Sequence, residues 1–218
     1  MSQAIDPRIG LDEAARGQAL LRAGKDRAAL DAFERAAWLA PDEPRILWAL
    51  ANTLWRVGRK EDAVPVYERV IELLPLEPAP RCNLAELLAV LGRVNEARVQ
   101  IAAAFGVAPE DPHIHLAEAV VRLAQRRPAA AEEAARAAVA SGLLPKFAYL
   151  DLADALLAQG KSAAALEAYR TAARHCAPED FLTMRQDLAW LATVYGDLPQ
   201  PAYQQAVALF APARNTAA

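Results

Sequence analysis

Six prolines mark a regular interval along the chain. Pro41, Pro75, Pro109, Pro145, Pro178 and Pro212 follow one another with spacings of 34, 34, 36, 33 and 34. The glycines Gly24, Gly58, Gly92, Gly160 and Gly196 keep nearly the same interval, with spacings of 34, 34, 68 and 36. Ala29, Ala63, Ala97 and Ala165 follow four of these glycines, and Phe33, Tyr67, Ile101 and Tyr169 come four positions later. Three positions further on stand Ala36, Val70, Ala104 and Ala172. A period of this length means stacked units, each burying its apolar face against its neighbours.

Each period reads as helix, tight turn, helix, loop. In residues 44–77, Ile46, Leu47, Leu50, Leu54 and Val57 recur at helical spacing. Gly58 then supplies a left-handed C-terminal cap. Glu61 and Asp62 fall in the first turn of the next helix, where the dipole favours negative charge. Ala63, Val66, Tyr67, Val70 and Ile71 form its apolar stripe, and Pro75 ends it. Gly17, Ala51, Ala85, Ala117, Ala153 and Ala189 are the small residues expected where paired helices approach closely. No alternating run bounded by turn residues suggests a strand.

This pattern resembles the tetratricopeptide repeat, a helix-turn-helix unit of about 34 residues. The resemblance rests on the pairs Leu84-Ala85, Leu116-Ala117, Leu152-Ala153 and Leu188-Ala189, with the residues named above. It implies an all-α fold, a right-handed α-solenoid whose first helices line a concave face. The expected organisation is a tail at 1–9, one solenoid at 10–213 and a tail at 214–218. The repeats are read as 10–43, 44–77, 78–109, 110–145, 146–179 and 180–213. Gln125-Arg126-Arg127-Pro128 replaces the glycine turn of the fourth unit, and alignment on Leu116-Ala117 places two extra residues there. The second helix of that unit, 129–140, is almost all small residues, so thin packing is expected. In the sixth unit Pro201 opens the second helix, and the unit is expected to cap the stack.

The concave stripe is the expected partner surface. Arg45, Trp48, Asn52, Trp55 and Arg56 fall at i, i+3, i+7, i+10 and i+11 on one helix face. Corresponding positions hold Gln18, Arg22, Cys82, Glu86, Glu118, Arg122, Phe147, Leu150, Asp154, Leu157 and Trp190. Tryptophan offers large contact area and arginine a two-point grip on carboxylates. The competing reading is that Trp48 and Trp55 pack between repeats. Some members of the family hold a C-terminal carboxylate with lysines and asparagines. The positions concerned carry Ala14, Gln18, Ala49, Ala79 and Asn83, so most of that clamp is missing.

Composition narrows the function. The 218 residues carry 24 Lys and Arg against 27 Asp and Glu, a net charge of −3. That balance argues against nonspecific nucleic-acid binding and a polybasic membrane patch. No apolar run reaches membrane-helix length, and the first residues do not read as a signal peptide. With only Cys82 and Cys176, a disulfide framework is not expected, and the compartment is read as the cytoplasm. Fifty-three alanines, and 20 Arg against 4 Lys, point to a GC-rich bacterial genome.

No catalytic residue, metal site or cofactor is expected. His113 and His115 are two apart, and His175 and Cys176 diverge by about 100° on a helix. No zinc-ligand spacing occurs. Gly24-Lys25 and Gly160-Lys161 lack the longer phosphate-cradling loop. Glu132 and Glu133 read as a solvated helix face. The function expected is a non-catalytic adaptor binding a protein or peptide partner in the groove. The alternatives are an assembly or maturation chaperone and a self-associating scaffold.

Overall fold

A computed structural model describes residues 7–177 and 180–211. Pro178, Pro212, the tail at 214–218 and residues 1–6 of the expected first tail lie outside them. Among the described residues the regular structure is α-helical and no strand occurs. In order come α1 (Pro7–Arg22), α2 (Asp26–Leu39), α3 (Pro44–Arg56), α4 (Lys60–Leu73), α5 (Pro78–Val90) and α6 (Val94–Val107). They are followed by α7 (Pro112–Ala124), α8 (Pro128–Ser141), α9 (Pro145–Ala158), α10 (Ser162–Arg174), α11 (Phe181–Val194) and α12 (Gln200–Leu209). The helices pair as antiparallel hairpins, α1 with α2 through α9 with α10, stacked in a right-handed solenoid.

The five hairpin turns occupy 23–25, 57–59, 91–93, 125–127 and 159–161, each one repeat period after the last. At the second, the Gly58 N–H donates to Trp55 and the Arg59 N–H to Leu54, at 2.9 and 2.8 Å. Gly58 has φ of +90°, the left-handed geometry that glycine adopts freely. The fourth turn makes the same two bonds, Arg126 to Leu123 and Arg127 to Arg122, at 2.8 and 2.9 Å. Here Arg126 holds the left-handed position, with φ of 56°.

The fourth turn therefore carries no extra residues, which corrects the alignment on Leu116-Ala117. Ala119, fully buried, takes the place of Ala85 and Ala153. Glu118 and Arg122 consequently fall where the neighbouring units have Leu84 and Leu152, and Leu88 and Leu156. Each is the other's partner, Arg122 donating to Glu118 at 2.8 Å. Pro145 likewise starts α9 rather than ending the unit before it, matching Pro44, Pro78 and Pro112.

One apolar core runs through the first three hairpins into α7, and a second from the end of α7 to α12. They meet on α7, and its partner α8 buries Ala131, Glu132, Ala134, Ala135 and Ala138. Glu132 is thus not a solvated residue. It is 4% exposed, and it accepts hydrogen bonds from Gln159 and Lys161 at 2.7 Å each. Arg136 adds an ion pair at 2.5 Å. Burial pushes the Glu132 pKa up, but these donors outweigh it and the net shift is downward.

The sixth unit departs from the hairpin expected for it. Here α12, rather than α11, packs extensively on α10. Its end residue Phe210 meets Tyr169 and Phe181 edge-on at 6.3 and 5.8 Å. Helix α11 turns onto α9 and reaches back to α7. Met184, Leu188 and Leu191 are buried in a cluster that includes Leu123 and Leu150. The Tyr195 hydroxyl donates to the Leu123 carbonyl at 3.1 Å, and Arg126 lies over the Tyr195 ring. Gly196 is not left-handed and caps nothing in the manner of Gly58. The longer step from Gly160 to Gly196 is the sequence trace of this change.

Candidate partner-binding groove

The repeat brings side chains at fixed positions of α3, α5, α7 and α9 onto one concave wall. Positions one period apart supply Cys82, Leu116 and Leu150, and then Asn52, Glu86, Val120 and Asp154. His113 and Phe147 form another such pair, and Arg56 and Val90 another. Helix α11 forms the facing wall with Thr183, Met184, Gln186, Asp187 and Trp190. Between them lies a chamber of about 400 Å³.

Second-helix tyrosines hold two of the wall positions from behind. The Tyr67 hydroxyl donates to Asn52 Oδ1. Three repeats later the Tyr169 hydroxyl donates to Asp154 Oδ1 at 2.5 Å. Of the two hairpins between them, the one that carries Glu86 has Ile101 at the tyrosine position, so Glu86 has no such donor.

Of the residues expected to bind a partner, Asn52, Trp55, Arg56, Glu86, Phe147 and Asp154 line the chamber. Gln18, Arg22, Arg45, Trp48, Glu118 and Arg122 do not. Gln18, Arg22 and Arg45 are exposed outside it. Trp48 packs against the core, with its indole N–H buried. Arg56 is bound to Asp26 at 2.9 Å. Cys82, Leu150 and Trp190 line the chamber, while Leu157 is fully buried away from it.

Asp151, Asp187, His113 and Lys60 line the chamber without being expected there. Asp151 lies two periods after Asn83, and both line the chamber, so the repeat could have found it. Asp187 could not be found that way, because its place depends on α11 folding back.

The chamber is acidic. Glu86, Asp151, Asp154 and Asp187 come from three helices. Burial raises the pKa of Glu86 to about 8, with Asp187 adding to it. Burial raises Asp154 to about 8 despite the Tyr169 hydrogen bond. Asp187 rises to about 7, burial being partly offset by Lys60. Asp151 is raised well above the usual carboxylate range by burial, then by Glu86, Asp154 and Asp187. Burial, Glu86 and Asp111 push the Cys82 thiol up to about 12, which suppresses the reactive thiolate. Among the described residues no three His, Cys, Asp or Glu side chains converge as metal ligands. His175 stacks on Tyr149 at 6.3 Å.

Tetratricopeptide repeat family profiles match residues 14–78 and 116–181, and a second such profile matches 54–121. The chain belongs to the tetratricopeptide repeat family. No curated protein sequence matches it significantly. Among solved structures it is similar to a thermophilic tetratricopeptide repeat protein from Thermus thermophilus, at 25% identity and a TM-score of 0.69. That match covers 85% of this chain and 98% of the other. It is also similar to a tetratricopeptide repeat protein from Parabacteroides merdae, at 15% identity and a TM-score of 0.63, covering 91% and 82%. PilW, a type IV pilus biogenesis factor, matches at 16% identity and a TM-score of 0.62, covering 90% of each chain. The last two likenesses concern the fold alone. The fold is one that generally mediates protein–protein interaction. Among the described residues no helix is long and apolar enough to cross a membrane.

Proposed function

We propose that the chain is a non-catalytic adaptor that holds a segment of a partner protein in the concave chamber. The observation carrying this reading is that several repeat positions line one space of about 400 Å³. Trp55, Phe147 and Trp190 provide apolar walls and Asn52, Asn83 and Gln186 provide hydrogen-bonding groups. Large aromatics beside polar anchors are the usual composition of a protein-binding hot spot. Among the described residues of the chamber no activated nucleophile is coupled to a base.

The test is affinity capture from native extract with wild type and a Trp55→Ala/Trp190→Ala protein. A partner held by wild type and lost from the variant, with helicity unchanged, is the expected result. Equal capture by both proteins would move the interface outside the chamber. Capture of further copies of the chain alone would replace the adaptor with a self-assembling scaffold.

A further inference from the structure

We propose that the groove's occupant is a basic segment of the partner, with an arginine or lysine head seated among Glu86, Asp151, Asp154 and Asp187. This inference rests on the groove reading above and specifies the chemistry of its occupant. Asp151 carries the argument furthest. It is 8% exposed, lines the chamber, and has no hydrogen-bond or ion-pair partner among the described residues. The charges that act on it are carboxylates, Glu86, Asp154 and Asp187. An unpaired buried carboxylate is costly to a fold. The fold does not require one here, because Ala49 and Ala117 occupy the same repeat position in other units.

Glu86 is a second case. At its position Asn52 and Asp154 each receive a tyrosine hydroxyl, whereas the hairpin of Glu86 has isoleucine in the tyrosine's place. Acidic groups thus persist where local packing gives them no donor, and they face one cavity from α5, α9 and α11. Two basic side chains, Arg56 and Lys60, also line the chamber. Arg56 is bound to Asp26, and Lys60 acts chiefly on Asp187.

The shape of the site selects among cations. The carboxylates do not converge as metal ligands; they are spread along the chamber. Leu116, Val120 and Leu150 form an apolar stretch of wall between them, with Trp55, Phe147 and Trp190 nearby. An arginine or lysine matches this arrangement, since its aliphatic stem covers apolar surface while its head reaches the acids. A ring face adds cation–π attraction for the head. Once ionised, the same acids repel an acidic segment or a bound C-terminal carboxylate.

The probe is a fluorescein-labelled tetra-arginine peptide titrated into the full chain by anisotropy at low salt, with tetra-citrulline as the uncharged control. Wild type is expected to bind the arginine peptide and not the citrulline one. Asp151→Asn with Asp187→Asn should weaken binding at least tenfold. Glu110→Gln with Glu133→Gln, an equal charge change at exposed positions, should leave it unchanged. No binding by wild type, equal binding by the chamber variant, or equal binding of citrulline would overturn the proposal.

Circular dichroism checks that the chamber variant folds. If it does not, unlabelled tetra-arginine and the wild-type protein's tryptophan emission decide. A saturating change at the binding midpoint, absent from a Trp55→Phe/Trp190→Phe protein, supports the chamber, and binding without it overturns it. Spermidine binding more tightly than the peptide would replace the partner segment by a small polyamine and also overturn it. The two readings fail separately. If Trp55→Ala/Trp190→Ala loses the captured partner while Asp151→Asn/Asp187→Asn keeps it, the groove stands and the basic occupant falls.

Discussion

A methyl group on Gly17 would stand 2.9 Å from the ring of Phe33. Phe33 is fully buried between α1 and α2 and has no room to retreat. Gly17→Ala is therefore expected to destabilise the first hairpin by about 1–3 kcal/mol, the usual cost of overpacking. A denaturant titration of the full chain measures it. Phe33→Leu in the same protein should recover part of the loss, because the clash is with the outer ring atoms. This close approach was legible in the sequence, where Gly17 shares the small-residue position with Ala51 and Ala85. Arg126 was not read that way. It stands one full period from Gly92 on one side and Gly160 on the other, so the interval marks it as the missing turn residue. Taking Leu116-Ala117 as the anchor concealed that, and it misplaced Glu118 and Arg122 in the groove.

Among the helices, α8 depends most on a single polar side chain. Its buried face is alanine apart from Glu132, and alanines bury little apolar area each. Glu132 ties α8 to Gln159 and Lys161 at the following turn. Glu132→Ala should cost about 1–3 kcal/mol, the penalty for unmaking a buried hydrogen-bonded group. Hydrogen exchange should locate the loss, with α8 amides exchanging faster while those of α3 to α6 keep their protection. Uniform acceleration along the chain would show that the two cores unfold as one. Thin packing of α8 was readable from its composition. The burial of Glu132 was not, because its partners lie 27 and 29 residues away. The regular hairpins were legible for the opposite reason, since their turns and stripes are local signals. Helix α11 has a regular helical pattern too, but its docking on α7 is a long-range event that the pattern does not encode.

For the molecule as a whole, the chamber sets the response to pH. Glu86, Asp154 and Asp187 titrate at about 8, 8 and 7 when folded, against about 4 in an unfolded chain. Between those values the folded protein holds protons that the unfolded chain has released. Stability must therefore fall as pH rises through this range. Glu132, shifted downward, acts oppositely, and its contribution is lost only as pH falls below the ordinary carboxylate range. The unliganded protein should thus melt at a lower temperature at pH 8.5 than at pH 5.5. Asp187→Asn should flatten the decline, and a saturating cationic ligand should flatten it further. Thermal melts across that range, with and without the tetra-arginine peptide, measure all three. A melting temperature that rises steadily toward pH 8.5 would contradict the linkage.

The folding back of α11 has an architectural consequence. In a solenoid, each added unit normally lengthens the concave channel. Here α11 closes over α7 and α9, and α12 takes the place on α10 where the next unit would begin. Units appended after α12 would extend the body but leave the chamber at its present size. The number of repeats and the length of segment that can be read are thereby uncoupled. Under the adaptor reading proposed above, the segment held is a few residues of a partner rather than a long strand of it.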